Sequence, residues 1–456
     1  MSSLLLTYYG DDLTGSTDAL EALECHGVST VLFTRLPSEA QLQRFADCRA
    51  IGLAGTSRSE SPQWMRRELQ PALQWLAARG APLTHYKTCS TFDSSPRIGS
   101  IGCAMEVGRE VFHQAPIPLV VGVPQLRRYT IFGELHAAWQ DQIYRIDRHP
   151  VMSCHPVTPM READLRRHLA EQTSMAIGLI DAPTLLAKGV DAKELDTKEL
   201  DAKVDQALNE YPAVLFDVLD ERHQAEVGRQ LWRTRCAEGR LVVGSSGVEY
   251  ALTREWQRCE EITTAARFAE AGEVDRIAVV SGSVSATTAR QIEAAQRYGF
   301  EIIAIDAIGL ADANHHAAAF QQAIEQGDKA LASGRSVILH TASGPQSHQS
   351  ALANEEARHI LGRSLGDILR QLTARHQLSR VCVSGGDTSS HAISALDIHA
   401  LTLKAPFPAA PGAPLCTAHS DIAEHDGLEV VFKGGQMGGD DFFERLRRGG
   451  TLTDSP

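Results

Sequence analysis

Short apolar runs separated by helix-length stretches organise the chain. In the first half they fall at 4–9, 30–33, 50–54, 119–123, 176–180, 213–216 and 241–243, each followed by a polar or glycine-containing tip and then by helical periodicity. A short continuous apolar run suits a strand buried on both faces, so the alternation predicts a largely parallel sheet covered by helices. The pattern restarts at 277–280 and continues through runs at 301–305, 336–340, 381–383 and 428–432, with a long helix over 355–375 and a closing helix over 442–448. The segment 260–275 between the halves is polar and alanine-rich. The expected organisation is therefore two α/β domains, residues 1–262 and 275–456, each with a largely parallel sheet. The mixed-charge stretch from 187 to 204 reads as a solvated helix or loop without a role in chemistry.

In parallel sheets ligands gather beyond the carboxyl ends of the strands, so the tips are where chemistry is expected. The first reads Gly10-Asp11-Asp12-Leu13-Thr14-Gly15-Ser16, another Gly55-Thr56-Ser57-Arg58-Ser59, and a third runs from Lys87 through Thr88, Cys89, Ser90, Thr91, Phe92 and Asp93 to Arg97. Paired carboxylates, an arginine, a lysine and many hydroxyls suit a small polyhydroxylated acid. Each tip also has a plainer reading, because aspartate and threonine cap helices and Lys87 can be a solvated charge. In the second half, tips at 281–285, 384–390 and 433–441 combine small residues with exposed backbone. The run Ser384-Gly385-Gly386-Asp387-Thr388-Ser389-Ser390 reads as a strand tip feeding a helix capped by Thr388, Ser389 or Ser390. Bare glycine backbone facing a helix start suits phosphate, and Asp387 beside it needs a cation or a transferable proton. Alone, the run reads more readily as a capped helix after a glycine turn than as a phosphoryl-transfer site, since two glycines and a cap are common punctuation.

Standard motifs narrow the field. The dipeptide Gly-Lys never occurs, which excludes a Walker-type loop, and no G-x-G-x-x-G follows a strand. The one G-x-S-x-G, at 362–366, lies inside a helical pattern and cannot form a nucleophile elbow. His419, Asp421, His425 and Asp426 have no metal-ligand spacing and read as solvated loop residues. The formal net charge of −13 argues against nucleic acid or an anionic membrane as partner. Nine cysteines without a Cys-x-x-Cys pair, a start without a basic leader and no run of membrane-spanning length point to a cytoplasmic protein with small ligands, homo-oligomeric assembly being compatible.

Taken together, Asp11-Asp12-Leu13-Thr14-Gly15, Lys87-Thr88-Cys89-Ser90-Thr91, Ser281-Gly282-Ser283-Val284-Ser285, Gly385-Gly386-Asp387-Thr388-Ser389 and Lys433-Gly434-Gly435-Gln436-Met437-Gly438-Gly439 resemble the four-carbon acid sugar kinase family, which includes 3-oxo-tetronate, threonate and erythronate kinases. The resemblance implies an N-terminal domain for the acid sugar, a C-terminal domain for ATP with Mg²⁺, and an active site in the cleft between them. By position it assigns Asp11, Asp12, Arg58, Lys87, Ser90 and Thr91 to the substrate, and Ser283, Ser285, Gly385, Gly386, Asp387, Thr388, Gly435 and Gly438 to ATP. Cys89 stands where many members carry aspartate, a variant similar to the branch that includes 3-oxo-isoapionate kinase. Phosphoryl transfer to a terminal hydroxyl needs a proton acceptor, for which Asp387 is the first choice and Asp12 the competitor. Competing readings are a sugar-acid binding or regulatory protein without catalysis, and a sugar-acid phosphate hydrolase, although neither a metal cluster nor an activated nucleophile stands out in the sequence.

Overall fold

A computed structural model describes residues 4–155, 157–185, 194–263, 266–342 and 355–450, without the side chains of 194–196, Glu355 and Asp387. Residues 187–193 of the charged stretch, and the tip after Ala342, therefore lie outside the described residues, while 194–204 belong to the helix Glu194–Glu210. The strands are β1 (Leu6–Gly10), β2 (Thr30–Phe33), β3 (Ala50–Ala54), β4 (Leu83–Lys87), β5 (Ile117–Val120), β6 (Arg128–Ile131), β7 (Glu134–Trp139), β8 (Gln142–Arg145), β9 (Ile177–Ile180), β10 (Ala213–Phe216), β11 (Arg240–Gly244), β12 (Ala278–Ser281), β13 (Glu301–Ala304), β14 (Val337–His340), β15 (Arg380–Ser384), β16 (Ile398–Ala405), β17 (Leu415–Ser420) and β18 (Glu429–Lys433).

Contacts divide the chain into two compact units, one of Met1–Val31 with Ser38–Ala266 and the other of Leu32–Pro37 with Arg267–Pro456. In the first unit seven strands run in the order β3-β1-β4-β11-β5-β10-β9, every pair parallel. The inner strands are buried apart from Arg240 at the start of β11, which is why most of them read as apolar runs; β4, Leu83–Lys87, is buried too but carries Thr84, His85 and Lys87 and does not. The separate meander β6-β7-β8 is antiparallel. It escapes a search for apolar runs because few of its residues are buried: β7 alternates between buried and half-buried positions, and β8 has no buried residue.

In the second unit β13-β14-β12-β15-β18 are parallel, and β17 and β16 extend them in the antiparallel sense. His419 therefore lies in β17, where its Nε2 meets Thr402 Oγ1 at 2.9 Å, and His425 is buried, which corrects the expectation of solvated loop residues. The short segment Leu32–Pro37 belongs here because Leu32 and Phe33 pair with Leu401 and Ala400, and Thr34 Oγ1 donates to Ile398 O at 2.6 Å. The core of this unit gathers Val279, Ile338, Cys382 and Val431 from the sheet with Phe442, Phe443 and Leu446 from the last helix. Fully buried Arg380 locks that helix down, donating to Leu446 O at 2.8 Å and to Ala271 O at 3.0 Å while pairing with Glu429. Among the described residues no helix is long and apolar enough to cross a membrane.

Candidate active site

Three strand tips of the first unit are tied together at one residue. Asp11, just past β1, donates its N–H to Lys87 O at the end of β4 (2.9 Å) and accepts on its carbonyl from Arg58 N after β3 (3.1 Å). The backbone thus brings Asp11, Asp12, Arg58 and Lys87 to one place. Ser90 stands half-buried on the tip that follows β4, and Thr91 is buried there.

The two neighbouring carboxylates have opposite fates. Asp12 is the N-cap of the helix Leu13–Cys25, accepting on Oδ1 from Gly15 N at 2.5 Å and Thr14 Oγ1 at 3.2 Å. Its Oδ2 accepts from Arg58 Nη1 at 2.9 Å. Asp11 is buried, and its Oδ1 has no hydrogen-bond partner among the described residues. Burial, seconded by the Asp12 charge, pushes its carboxyl up to about 7, against the pull of Arg58 and Lys87. A folded-state value above the unfolded one means stability that is complete below about pH 4 and is lost as the pH rises through 7. Asp11→Asn should therefore gain stability relative to the wild type at pH 8 and lose that advantage at pH 4, as thermal melts at the two pH values would read; equal differences at both would refute it.

Arg58 lies between two acids. Its Nη2 reaches Asp93 Oδ1 at 3.0 Å and Oδ2 at 3.1 Å, opposite the Asp12 contact. Asp93 is fully buried and also accepts from Thr91 Oγ1 at 2.5 Å and Thr158 Oγ1 at 2.8 Å. Burial alone would raise its carboxyl, but Arg58 and the hydroxyls outweigh that and hold it down at about 2. Lys87 is likewise buried, with Nζ 3.2 Å from Asp18 Oδ2 and donating to Thr88 O at 3.1 Å. Desolvation lowers the Lys87 pKa, yet Asp18 and Asp11 more than offset it. Under this tip Gly244 O, at the end of β11, accepts from Thr88 N (2.6 Å), Thr88 Oγ1 (3.0 Å) and His85 Nε2 (3.1 Å).

Sequence reasoning missed Asp93, Asp18 and Thr158 as members of this cluster. Asp93 was within reach, two residues beyond Thr91 on the same tip; Asp18 faces the site only because helix periodicity returns it there from Asp11, and Thr158 arrives from a distant segment. Arg58 and Lys87, expected to be open for an anion, each already hold a carboxylate. Four acids, Asp11, Asp12, Asp18 and Asp93, thus surround two cations. Such a tip accepts hydrogen bonds from many hydroxyls, and a neutral Asp11 would lower its negative charge.

The second unit assembles a different surface. The helix Ala286–Arg297 starts at Ser285, whose Oγ accepts from Thr287 N at 3.1 Å and donates to Gly435 O at 2.5 Å. Buried Ser283 accepts from Ser285 N at 3.3 Å. The loop after β18 is strapped to this helix by its carbonyls. Lys433 Nζ donates to Gly434 O at 3.0 Å, Thr288 Oγ1 to Gly435 O at 3.1 Å, and buried Gln291 Nε2 to Met437 O, Gly438 O and Gly439 O at 2.9, 3.1 and 2.9 Å. Because N–H and C=O point opposite ways across a trans peptide, pinning these carbonyls inward directs the following N–H groups outward. That is the making of an anion nest. Gly435 is required for packing: a Cβ there would stand 3.0 Å from both Ser283 Oγ and Ser285 Cβ; Gly438 has φ +81°, open to glycine.

Gly385 adopts φ +115° and is the N-cap of the helix Gly386–Ala395, with its N–H on Lys433 O at 2.8 Å. No side chain caps this helix, which corrects the expectation for Thr388, Ser389 and Ser390. Ser389 Oγ instead donates back to Gly385 O at 2.8 Å, and buried Thr388 sits so near Gly282 that a Cβ on that glycine would lie 2.2 Å from Thr388 Oγ1. The first-turn N–H groups, which have no acceptor within a helix, are left for another partner. Gly386 fronts open space, since a Cβ there would meet nothing within 4 Å. The Asp387 side chain, the first choice for proton acceptor, lies outside the described residues. Lys433 is fully buried beneath this turn, donating to Thr288 Oγ1 at 3.1 Å, and burial pulls its pKa down to about 8 against the Cys382 thiol.

Residues 6–252 match a family model described as a sugar-binding N-terminal domain, and residues 278–443 one described as a nucleotide-binding C-terminal domain. The 3-oxo-isoapionate kinase of Paraburkholderia graminis is 43% identical over 458 residues, covering 98% of this chain and 95% of that relative. The 3-oxo-tetronate kinase of Pseudomonas fluorescens is 29% identical, covering 97% and 96%. The fold has a counterpart in a crystal structure from Salmonella typhimurium LT2, of a protein described as a candidate tRNA synthase, with a TM-score of 0.76 at 24% identity and coverage of 97% and 98%. Matched along both units and nearly end to end, this chain belongs to the four-carbon acid sugar kinase family.

Proposed function

We propose that the chain transfers the γ-phosphoryl group of ATP to a terminal hydroxyl of a 3-oxo sugar acid, with 3-oxo-isoapionate its preferred acceptor. The observation that carries this reading is the 43% identity, over nearly the whole chain, to a 3-oxo-isoapionate kinase. The first unit takes the acid. Asp11 and Asp12 accept from its hydroxyls, and Lys87, with Asp18 and Thr88 O on two of its protons, keeps a third for the acid's carboxylate. Arg58 holds Asp12 and Asp93 in position, while Ser90 and Thr91 border the same tip.

The second unit takes the nucleotide. Its fit rests on chemistry visible at two places, the outward N–H groups of the loop around Gly435 and Gly438 and the uncapped helix start at Gly385 and Gly386. Ser283, Ser285 and Thr388 line these turns. Mg²⁺ would arrive on the phosphates and neutralise charge there, with Asp387 the carboxylate that the sequence supplies at the turn. Asp12 already accepts from Gly15 N, Thr14 and Arg58, which leaves it an anchor; Asp387 receives the hydroxyl proton.

The test is ADP release with 3-oxo-isoapionate, 3-oxo-tetronate, threonate and erythronate as acceptors. The expected result is a kcat/KM for 3-oxo-isoapionate about tenfold or more above the others, worth at least one 1.4 kcal/mol step in transition-state binding. A higher value for 3-oxo-tetronate would overturn the substrate assignment, and no ADP release with any of them the kinase itself. Lys87→Met should raise the KM of the acid about tenfold while that of ATP stays within about twofold; equal rises would reassign the first unit.

A further inference from the structure

A cavity of about 750 Å³ lies away from the strand tips. It lies in the first unit at the opposite, amino-terminal edge of the sheet, where Pro116 precedes β5, Pro212 precedes β10 and Arg240 opens β11. Ligands of the kinase reaction belong beyond the carboxyl ends of these strands, so this cavity is a separate place.

Its lining is cationic in an otherwise acidic protein. Four arginines, Arg109, Arg233, Arg235 and Arg240, share it with the acids Asp205 and Glu210. Arg233 is neutralised locally, with Nη2 at 2.7 Å from Asp205 Oδ1. Glu210 lines the cavity beside Tyr211. Among the described residues no carboxylate pairs with the other three. Arg109 Nη2 donates to Gln114 O at 3.2 Å; Arg235 Nη1 donates to Trp232 O at 2.5 Å, its guanidinium 4.2 Å from that indole's centroid. Arg240 has no side-chain partner, and its Nε and Nη1 are buried without an acceptor, as is Arg109 Nε. Guanidinium N–H groups withdrawn from water without acceptors are a standing cost that an anion in the cavity would relieve.

We propose that this cavity is a second anion site, taking a phosphate group on a small molecule through Arg109, Arg235 and Arg240. Planar guanidinium forks match phosphate oxygens better than point charges do, and three of them around one concavity balance a dianion. The stacking of Arg235 on Trp232 fixes one fork in advance and lowers the entropic cost of engaging it. Arg240 and Gly244 are the two ends of β11, about 13 Å apart at the rise of a strand, so an occupant would stand behind the tip that Gly244 O holds together. The phosphate could be borne by inorganic phosphate or by a phosphorylated sugar acid.

Isothermal titration of the full chain with inorganic phosphate and, separately, with 3-phosphoglycerate tests this. Each probe should bind the wild type saturably. In Arg109→Gln/Arg240→Gln the dissociation constant should rise about tenfold or more, while the KM values for ATP and the sugar acid stay within about twofold. Equal affinity for both probes would mark inorganic phosphate as ligand enough, and a tenfold advantage for 3-phosphoglycerate a phosphorylated acid. Absence of saturable binding, or affinity unchanged in the variant, would overturn the proposal. Exposed Arg235→Ala, which leaves half-buried Arg109 and Arg240 in place, gives the same comparison should the double variant fold poorly.

Discussion

Asp387→Asn is expected to lower kcat about 10²–10⁴-fold, the usual contribution of a positioned general base, while the affinity for ADP stays within about threefold. The surrounding turn accounts for that split. The N–H groups that would receive phosphate come from the helix start at Gly386 and from the loop pinned by Gln291 and Ser285. Asparagine keeps the shape and loses the acceptor of a proton. Turnover and ADP titration on the same preparation check it. Near-normal turnover would remove Asp387 from the mechanism. Loss of both activities would make it a ligand for the nucleotide's cation instead. Asp12→Ala provides the contrast, because losing a cap that also braces Arg58 should cost about 1 kcal/mol of stability in addition to its effect on the acid.

Arg58→Met should cost about 3–5 kcal/mol of stability, because it takes from the buried Asp93 carboxylate the guanidinium that pairs with it. The hydroxyls of Thr91 and Thr158 remain on Asp93, but two neutral donors do not replace a guanidinium. Asp12 loses its brace in the same step, so kcat/KM for the acid should fall by about 10²-fold through misplacement. Urea unfolding and steady-state kinetics measure the two effects. Arg58→Met/Asp93→Asn should recover part of the stability, since the uncompensated charge is then gone, and little of the activity. An unfolding midpoint unchanged in the single variant would show that the ion pair is not structural.

Parallel strands were legible because they are buried on both faces, and runs such as Ala213–Phe216 admit no polar residue. The meander β6-β7-β8 and the hairpin β16-β17 were not, since strands with a wet side carry residues such as His136, Arg145 and His419 that also suit loops. The tips were legible as candidates for the same reason as the strands: a buried run ending in Asp11-Asp12 or Gly385-Gly386 leaves only the tip to do chemistry. Their partners were less so. Gln291 is one polar residue within a helix whose neighbours Ile292, Ala294 and Ala295 are buried, and nothing in its sequence position tells that its amide serves three carbonyls some 146 to 148 residues away.

By itself, then, the sequence determined two α/β halves, the strand ends at which ligands can gather, the residue types gathered there and, through five motifs in order, the family. Those are properties of local burial and of spelling. Tertiary structure alone decided which charges compensate each other: that Arg58 is spent between Asp12 and Asp93, that Lys87 answers Asp18, that Asp11 Oδ1 is buried without a hydrogen-bond partner among the described residues, and that three arginines at the amino-terminal edge of the first sheet pair with no carboxylate among them. Pairing of this kind depends on which side chains meet across tens of residues, and electrostatic energy falls with distance in space and not along the chain.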